Sequence, residues 1–301
     1  MLRGYNKKPS GHYQRQVLMS YCKYWHLREK PFEELCDTRF FFESEDHREA
    51  LDRMLYVVND RNMNMGLLTG EVGSGKTITK NVLINSLPPQ NFEVIDFDNS
   101  NFAFTDILFD IVKRITFRDN RFDKLDGELP DRNDKYMLMQ VFKKKLEILL
   151  YEEKRHLVII FDEAQQIDDK VLDEIKNLTN VSSRIENFMT IFLVGQPELR
   201  EKVRLIKQVD QRIFLRFHLN NLDFNGSTKY IQHRLRVAGL EKGTIFTSLG
   251  YEILFRSTGG IPREINRLCK LALNYGFAHD LVEISREAIQ IILDDYQEHS
   301  Q

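Results

Sequence analysis

The chain has 301 residues, 42% hydrophobic and 29% charged, with a formal net charge of -2. That is apolar material for one large domain or two modest ones, and a balance too near neutral for a protein that meets a polyanion with its whole surface. Cys22, Cys36 and Cys269 are scattered and odd in number, which fits neither a disulfide framework nor a zinc site and points to reduced thiols in a cytoplasmic protein.

Residues 1–23 are basic, polar and weakly periodic, and are expected to form a flexible arm without the apolar core of a signal peptide. Beyond them, short β-rich runs alternate with amphipathic stretches. The strands are expected at "MGLLTG" (65–70), "FEVIDF" (92–97), "LVIIFDE" (157–163), "TIFLVG" (190–195) and "RFHL" (216–219). None approaches the roughly 18 apolar residues of a membrane span. Continuous apolar strands separated by helical segments call for an α/β fold with a parallel sheet covered on both faces. Phe104, Ile107, Leu108, Ile111, Val112 and Ile115 form one helical stripe, and Leu138, Val141, Phe142, Leu146, Leu149 and Leu150 another. After "NLDFNG" (221–226) the strands stop and helical segments follow, the last capped by Ser285. The expected division is an α/β domain over 24–222 and a small all-helical domain over 223–301.

"GEVGSGKT" (70–77) matches G-x-x-x-x-G-K-[ST] between an apolar strand and a helix, the context that motif requires. Gly70, Gly73 and Gly75 allow the tight turn, and with Glu71, Val72, Ser74 and Ile78 they form the expected phosphate cradle. Lys76 would reach the β- and γ-phosphates, and Thr77 would hold Mg²⁺. In "LVIIFDEAQQ" a buried strand delivers Asp162 to the Mg²⁺ shell, and Glu163 beside it is placed to activate water. "LVGQPEL" puts Gln196 at the end of the next strand. "DQRIFLRFHL" offers Arg212 and Arg216, and "GGIPREINRL" offers Arg263.

Together with "YWHLREKPFEELCDTRFFFESEDHREALDRML" (24–55), these motifs resemble the AAA+ ATPase domain of the general secretion pathway protein A (ExeA) group. That group is similar to the TnsC and TniB transposition ATPases and to origin-recognition initiators. The resemblance implies a P-loop fold with a central five-stranded parallel sheet sandwiched by helices and a helical lid. It implies an ATPase using ATP and Mg²⁺, with Lys76 and Thr77 as the Walker A pair, Asp162 and Glu163 as Walker B, Gln196 as sensor 1 and Arg263 as sensor 2. Arg212 resembles the arginine finger, with Arg216 as the alternative, so ATP sites would be shared between subunits of a homo-oligomer. Phe32, Phe40 and His47 fall where related ATPases flank the nucleotide base, with core packing the simpler role for the two Phe residues. Ending at Gln301 without a membrane span or peptidoglycan-binding module, the chain is expected to be closer to the transposition accessory type. Its ATP-bound subunits would assemble on double-stranded DNA and recruit a transposase; the alternative is an ATPase that assembles a secretion or pilus complex without DNA.

The run "KRITFRDNRFDK" (113–124) sets Lys113, Arg114, Arg118, Arg121 and Lys124 against Asp119 and Asp123. Five positive less two negative leaves +3 there and -5 elsewhere. In the related ATPases the equivalent region faces the axis of the assembly, so these five residues are the candidate DNA contacts, of the sequence-independent, salt-sensitive kind.

Overall fold

The apolar runs pair edge to edge as one parallel sheet. The computed structural model describes residues 21–33, 37–61, 63–99, 101–117, 129–181 and 187–298. Its strands are β1 (Met65–Gly70), β2 (Phe92–Phe97), β3 (His156–Phe161), β4 (Met189–Gly195) and β5 (Ile213–Leu219), in the order β2-β3-β4-β1-β5. Every residue of β1, β3 and β4 is buried, as expected of strands covered on both faces. β5, at one edge, exposes Phe214 and Arg216. It starts three residues before the expected "RFHL", because its pairing with β1 already begins at Met65 and Ile213.

Two compact units divide the described residues, one of 45–220 and one of 21–44 with 221–298. In the first unit, alternate residues of each strand face opposite layers. Leu157, Ile159 and Phe161 join Leu67 and Leu193 in a core shared with α4 (Phe104–Thr116) and α5 (Lys135–Glu147). Val158 and Ile160 join Leu68 and Val194 in a second core, against α2 (Glu45–Asp60) and α3 (Lys76–Ser86). All six apolar residues of the first stripe are buried on α4. The second stripe runs through α5 into a π-helical turn at Ile148–Glu152, which keeps Leu149 and Leu150 inside. Three short helices, α6 (Asp169–Leu178), α7 (Pro197–Leu205) and α8 (Lys207–Asp210), complete this unit.

The second unit packs a one-turn helix, α1 (Tyr21–Tyr24), and the segment after it onto α9 (Phe224–Val237), α10 (Ser248–Thr258), α11 (Pro262–Ala278) and α12 (Arg286–Glu298). Trp25, Phe32 and Phe40 are buried with Tyr230, Ile265 and Leu273. Trp25 Nε1 donates to the Leu273 carbonyl at 3.0 Å. The buried Arg234 donates to the Pro31 carbonyl at 2.6 Å and lies over the Phe40 ring at 4.9 Å, so its charge is both hydrogen-bonded and stacked. Ser285 caps α12 by accepting from the Ala288 N–H at 3.5 Å.

Candidate functional site

β1 ends at Gly70, and the chain turns through 71–75 before α3 starts at Lys76. Gly75 has φ +103°, and a Cβ there would lie 2.6 Å from His47 Nε2. Both the backbone angle and the space therefore require glycine. His47 is buried on α2 with Nε2 3.1 Å from the Ser74 carbonyl. Burial pushes its pKa below the ordinary value, so near pH 7 a neutral ring donates to that carbonyl and braces the turn.

Lys76 is buried and donates to the carbonyls of Gly70 and Glu71, both at 2.8 Å. The buried Ser74 hydroxyl has no hydrogen-bond partner among the described residues. The first N–H groups of α3 lack helical partners, as at any helix start, and the helix field favours an anion there. An orphaned hydroxyl, a buried ammonium and a helix N-terminus around one glycine turn fit a phosphate chain.

The residues that fit the metal come together from 85 positions apart. Thr77 Oγ1 donates to Asp162 Oδ2 at 3.2 Å. Asp162 follows β3 directly and is 3% exposed, with its N–H bonded to the Phe97 carbonyl at 2.9 Å. Mg²⁺ keeps several waters and takes one or two protein oxygens together with substrate phosphates. One hydroxyl and one carboxylate at the phosphate turn suit that demand. Among the described residues no group of three His, Cys, Asp or Glu side chains is arranged to hold a metal by itself.

Glu163 adopts the left-handed conformation, φ 50° and ψ 36°. Its Oε2 accepts from Gln165 Nε2 at 2.6 Å and from Gln196 Nε2 at 3.3 Å. Gln165 Oε1 in turn accepts from the Gln196 N–H at 3.2 Å. The register of β1 with β4 sets Thr69 beside Gly195, and that of β3 with β4 sets Phe161 beside Leu193. Gln196 is thereby carried to the same end of the sheet as the glycine turn, Asp162 and Glu163.

Lys80 lies one helical turn beyond Lys76, its side chain 1% exposed. Its Nζ is 2.7 Å from Asp96 Oδ2, 2.8 Å from Asp98 Oδ1 and 3.2 Å from Asp162 Oδ2. Burial works against the ammonium, but the bonds to Asp96 and Asp98 and the charge of Asp162 outweigh it and hold the pKa above the usual lysine range. The expected site omitted Lys80 and Gln165. A lysine on the face of α3 that buries Thr79 and Leu83 is the signal in the sequence for the first; Gln165 carries none beyond its closeness to Glu163.

The remaining candidates lie elsewhere. Arg212 precedes β5, donating to Asn180 Oδ1 at 2.7 Å. Gly70 pairs with Leu219, seven residues on from Arg212, so at strand rise Arg212 is about 23 Å from its own glycine turn. Arg216 is tied to Asp210 at 2.9 Å. Arg263 is exposed in the first turn of α11, in the helical unit. Lys113 is exposed at the end of α4, whereas Arg114 pairs with Asp110 at 2.8 Å, donates to the Asp96 carbonyl at 3.0 Å and lies over Phe97. Arg118, Arg121 and Lys124 lie outside the described residues.

Residues 59–203 match the AAA domain family. General secretion pathway protein A of Aeromonas hydrophila is 34% identical over 278 residues, which are 90% of this chain and 48% of that protein. The chain thus spans about half the length of this curated relative. Drosophila ORC bound to DNA has a similar structure, with a TM-score of 0.63 over 97% of this chain and 69% of that one at 14% identity. The Aeropyrum pernix ORC2 protein in ADPNP and ADP complexes gives 0.58 over 87% and 70% at 18% identity; at such identities the two structures speak for the fold. With its 2-3-4-1-5 parallel sheet and the glycine turn ahead of α3, the chain belongs to the AAA+ P-loop ATPases, whose cofactors are ATP and Mg²⁺.

Proposed function

We propose that the chain hydrolyses ATP at the turn between β1 and α3, within an assembly of like chains whose nucleotide state governs a partner. Residues 70–78 cradle the phosphates, and Lys76 exchanges the carbonyls of Gly70 and Glu71 for phosphate oxygens. Thr77 and Asp162 hold Mg²⁺, which when bound neutralises charge on the β- and γ-phosphate oxygens. Glu163 orients water and takes its proton, and Gln196 steadies the Glu163 carboxylate. The observation that carries this reading is the 3.2 Å bond from Thr77 to Asp162, which joins the two would-be metal ligands beside the glycine turn. The experiment is phosphate release with Mg·ATP at increasing protein concentration, for the wild type and Asp162→Asn. Release by the wild type alone supports the site, and equal rates for the two proteins count against it.

Arg212 is assigned to a neighbour's ATP, since about seven strand residues at ~3.3 Å each hold it too far from its own. Arg263 is assigned as the residue through which the helical unit senses nucleotide. For the partner, the 34% identity to general secretion pathway protein A over 90% of the chain favours assembly or remodelling of a protein complex. A second reading, a TnsC- or TniB-like accessory ATPase on duplex DNA, rests on the exposed Lys113 together with Arg118, Arg121 and Lys124. Arg114 adds less to it, being engaged with Asp110, Asp96 and Phe97. Binding to labelled duplex with a non-hydrolysable ATP analogue at low salt separates the two. Salt-sensitive binding that drops in an Arg118, Arg121 and Lys124 triple-alanine variant supports DNA; no binding leaves the protein partner. Among the described residues no helix is long and apolar enough to cross a membrane, and action in the cytoplasm belongs to the proposal.

A further inference from the structure

The Lys80 ammonium is the buried cation of a carboxylate cluster. Three oxygens from three carboxylates, Asp96 Oδ2, Asp98 Oδ1 and Asp162 Oδ2, surround it within 3.2 Å, and its own side chain is 1% exposed. The carboxylates differ in how much they depend on it. The Asp98 side chain is 87% exposed and can be solvated by water, whereas the side chain of Asp96 is 25% and that of Asp162 5% exposed, so the last two would face each other with little solvent to screen them. Asp96 lies near the end of β2 and Asp162 follows β3; the register that pairs Asp96 with Ile160 puts the two on the same face of the sheet, two positions apart. Asp162 Oδ2 is also the acceptor for Thr77, so one oxygen atom answers to both α3 residues.

We infer that Lys80 is a positioning residue: a tethered cation that fixes Asp162 Oδ2 and occupies the carboxylate cluster, so that the site takes Mg²⁺ with nucleotide and not before it. The inference rests on the reading of Asp162 as a Mg²⁺ ligand. Divalent-cation affinity at oxygen sites rises with the number of charged ligands. With the ammonium present, the three carboxylates are partly neutralised and their shared centre is filled. A divalent ion then finds Asp162, whose Oδ1 accepts from the Glu163 N–H at 2.9 Å, and the Thr77 hydroxyl, and needs phosphate oxygens to complete its shell. Without the ammonium, three carboxylates converge on an open point and form an oxygen site suited to Mg²⁺, Ca²⁺ or Mn²⁺.

The test is Mn²⁺ binding to nucleotide-free protein, followed by electron paramagnetic resonance. Lys80→Met keeps the side-chain stem and deletes the charge. It should bind Mn²⁺ at least ~10-fold more tightly than the wild type, and Mn²⁺ should raise its melting temperature. Adding Asp96→Asn should reverse the gain, and Lys80→Arg, which keeps the cation, should behave as the wild type. A Lys80→Met protein that folds with wild-type Mn²⁺ affinity overturns the inference. If Lys80→Met does not fold, the wild type decides. Weak Mn²⁺ binding that tightens on adding ATP supports the inference, and tight binding without nucleotide overturns it. A fluorescent ATP analogue titrated into the wild type tests the ATP reading separately, so the failure of one is distinguishable from the failure of the other.

Discussion

Gln165 Nε2 donates to Glu163 Oε2 at 2.6 Å, across a Glu163 backbone held at φ 50°. A left-handed conformation costs a non-glycine residue about 1–2 kcal/mol, so the turn stores strain at the residue proposed to activate water. The Gln165 amide spans the gap to the next strand end, because its Oε1 accepts from the Gln196 N–H at 3.2 Å. Replacing Gln165 with Leu should lower kcat about tenfold with KM for ATP little changed, since the interaction removed orients the reacting group more than it binds substrate. Steady-state phosphate release checks this, and a change confined to KM argues against it.

Glu163→Gln keeps the size of the side chain and removes the proton acceptor. ATP-analogue affinity should stay within about threefold of the wild type while turnover falls by roughly 10²–10⁴. Equilibrium binding and single-turnover hydrolysis report the two separately, and normal turnover removes Glu163 from its role.

For Arg212→Ala the expected loss is conditional on concentration. Arginine fingers contribute about 10³–10⁵ in rate, and Arg212, proposed for that role, precedes β5 and lies too far from Gly70 to serve its own site. The rise in specific ATPase activity with protein concentration should therefore disappear, with nucleotide binding intact. Loss of binding instead assigns Arg212 to fold stability through Asn180.

Gly75→Ala meets two obstacles at once, φ +103° and His47 Nε2 at 2.6 Å. Strain of about 1–3 kcal/mol should lower the melting temperature and weaken ATP-analogue binding. Gly75→Ala with His47→Ala relieves the contact but not the backbone angle, so partial recovery is expected. Full recovery shows that only the contact mattered.

His156 supplies a pH dependence of known sign. Buried beside Thr190 Oγ1 at 2.9 Å, its ring has a pKa pushed by burial from 6.5 down to about 4. Below pH 6.5 the unfolded chain takes up a proton that the folded chain refuses, so stability falls as pH drops from 6.5 towards 4 and then levels. At pH 5 this group alone should remove about 2 kcal/mol relative to pH 7. Urea unfolding at the two pH values checks the magnitude, and His156→Gln should flatten the difference.

The glycine turn and the Asp-Glu pair were legible because their chemistry is written in contiguous residues flanked by apolar runs. The five parallel strands were legible for the same reason, in apolar-rich runs of six or seven residues that are buried throughout in β1, β3 and β4. Lys80 was not, because its meaning depends on β2 lying next to β3 and bringing Asp96 and Asp98 beside Asp162. Arg114 carried a local warning: Asp110 stands four residues earlier, on the same helix face. The spacing of Trp25, Phe32 and Phe40 cannot say which core they enter. They are buried with helices nearly two hundred residues or more further on, through long-range contacts such as that of Trp25 with Leu273.

The distance between Arg212 and Gly70 along β5 and β1 has a consequence for any assembly. If each chain lends its arginine to a neighbour, the lending face and the borrowing face are different surfaces, and chains join head to tail. An open row then has polarity: one terminal chain keeps an ATP site with no arginine to complete it, and the other an arginine with no site to enter. Closing the row into a ring completes every site, so the onset of full activity would report the moment the last gap shuts.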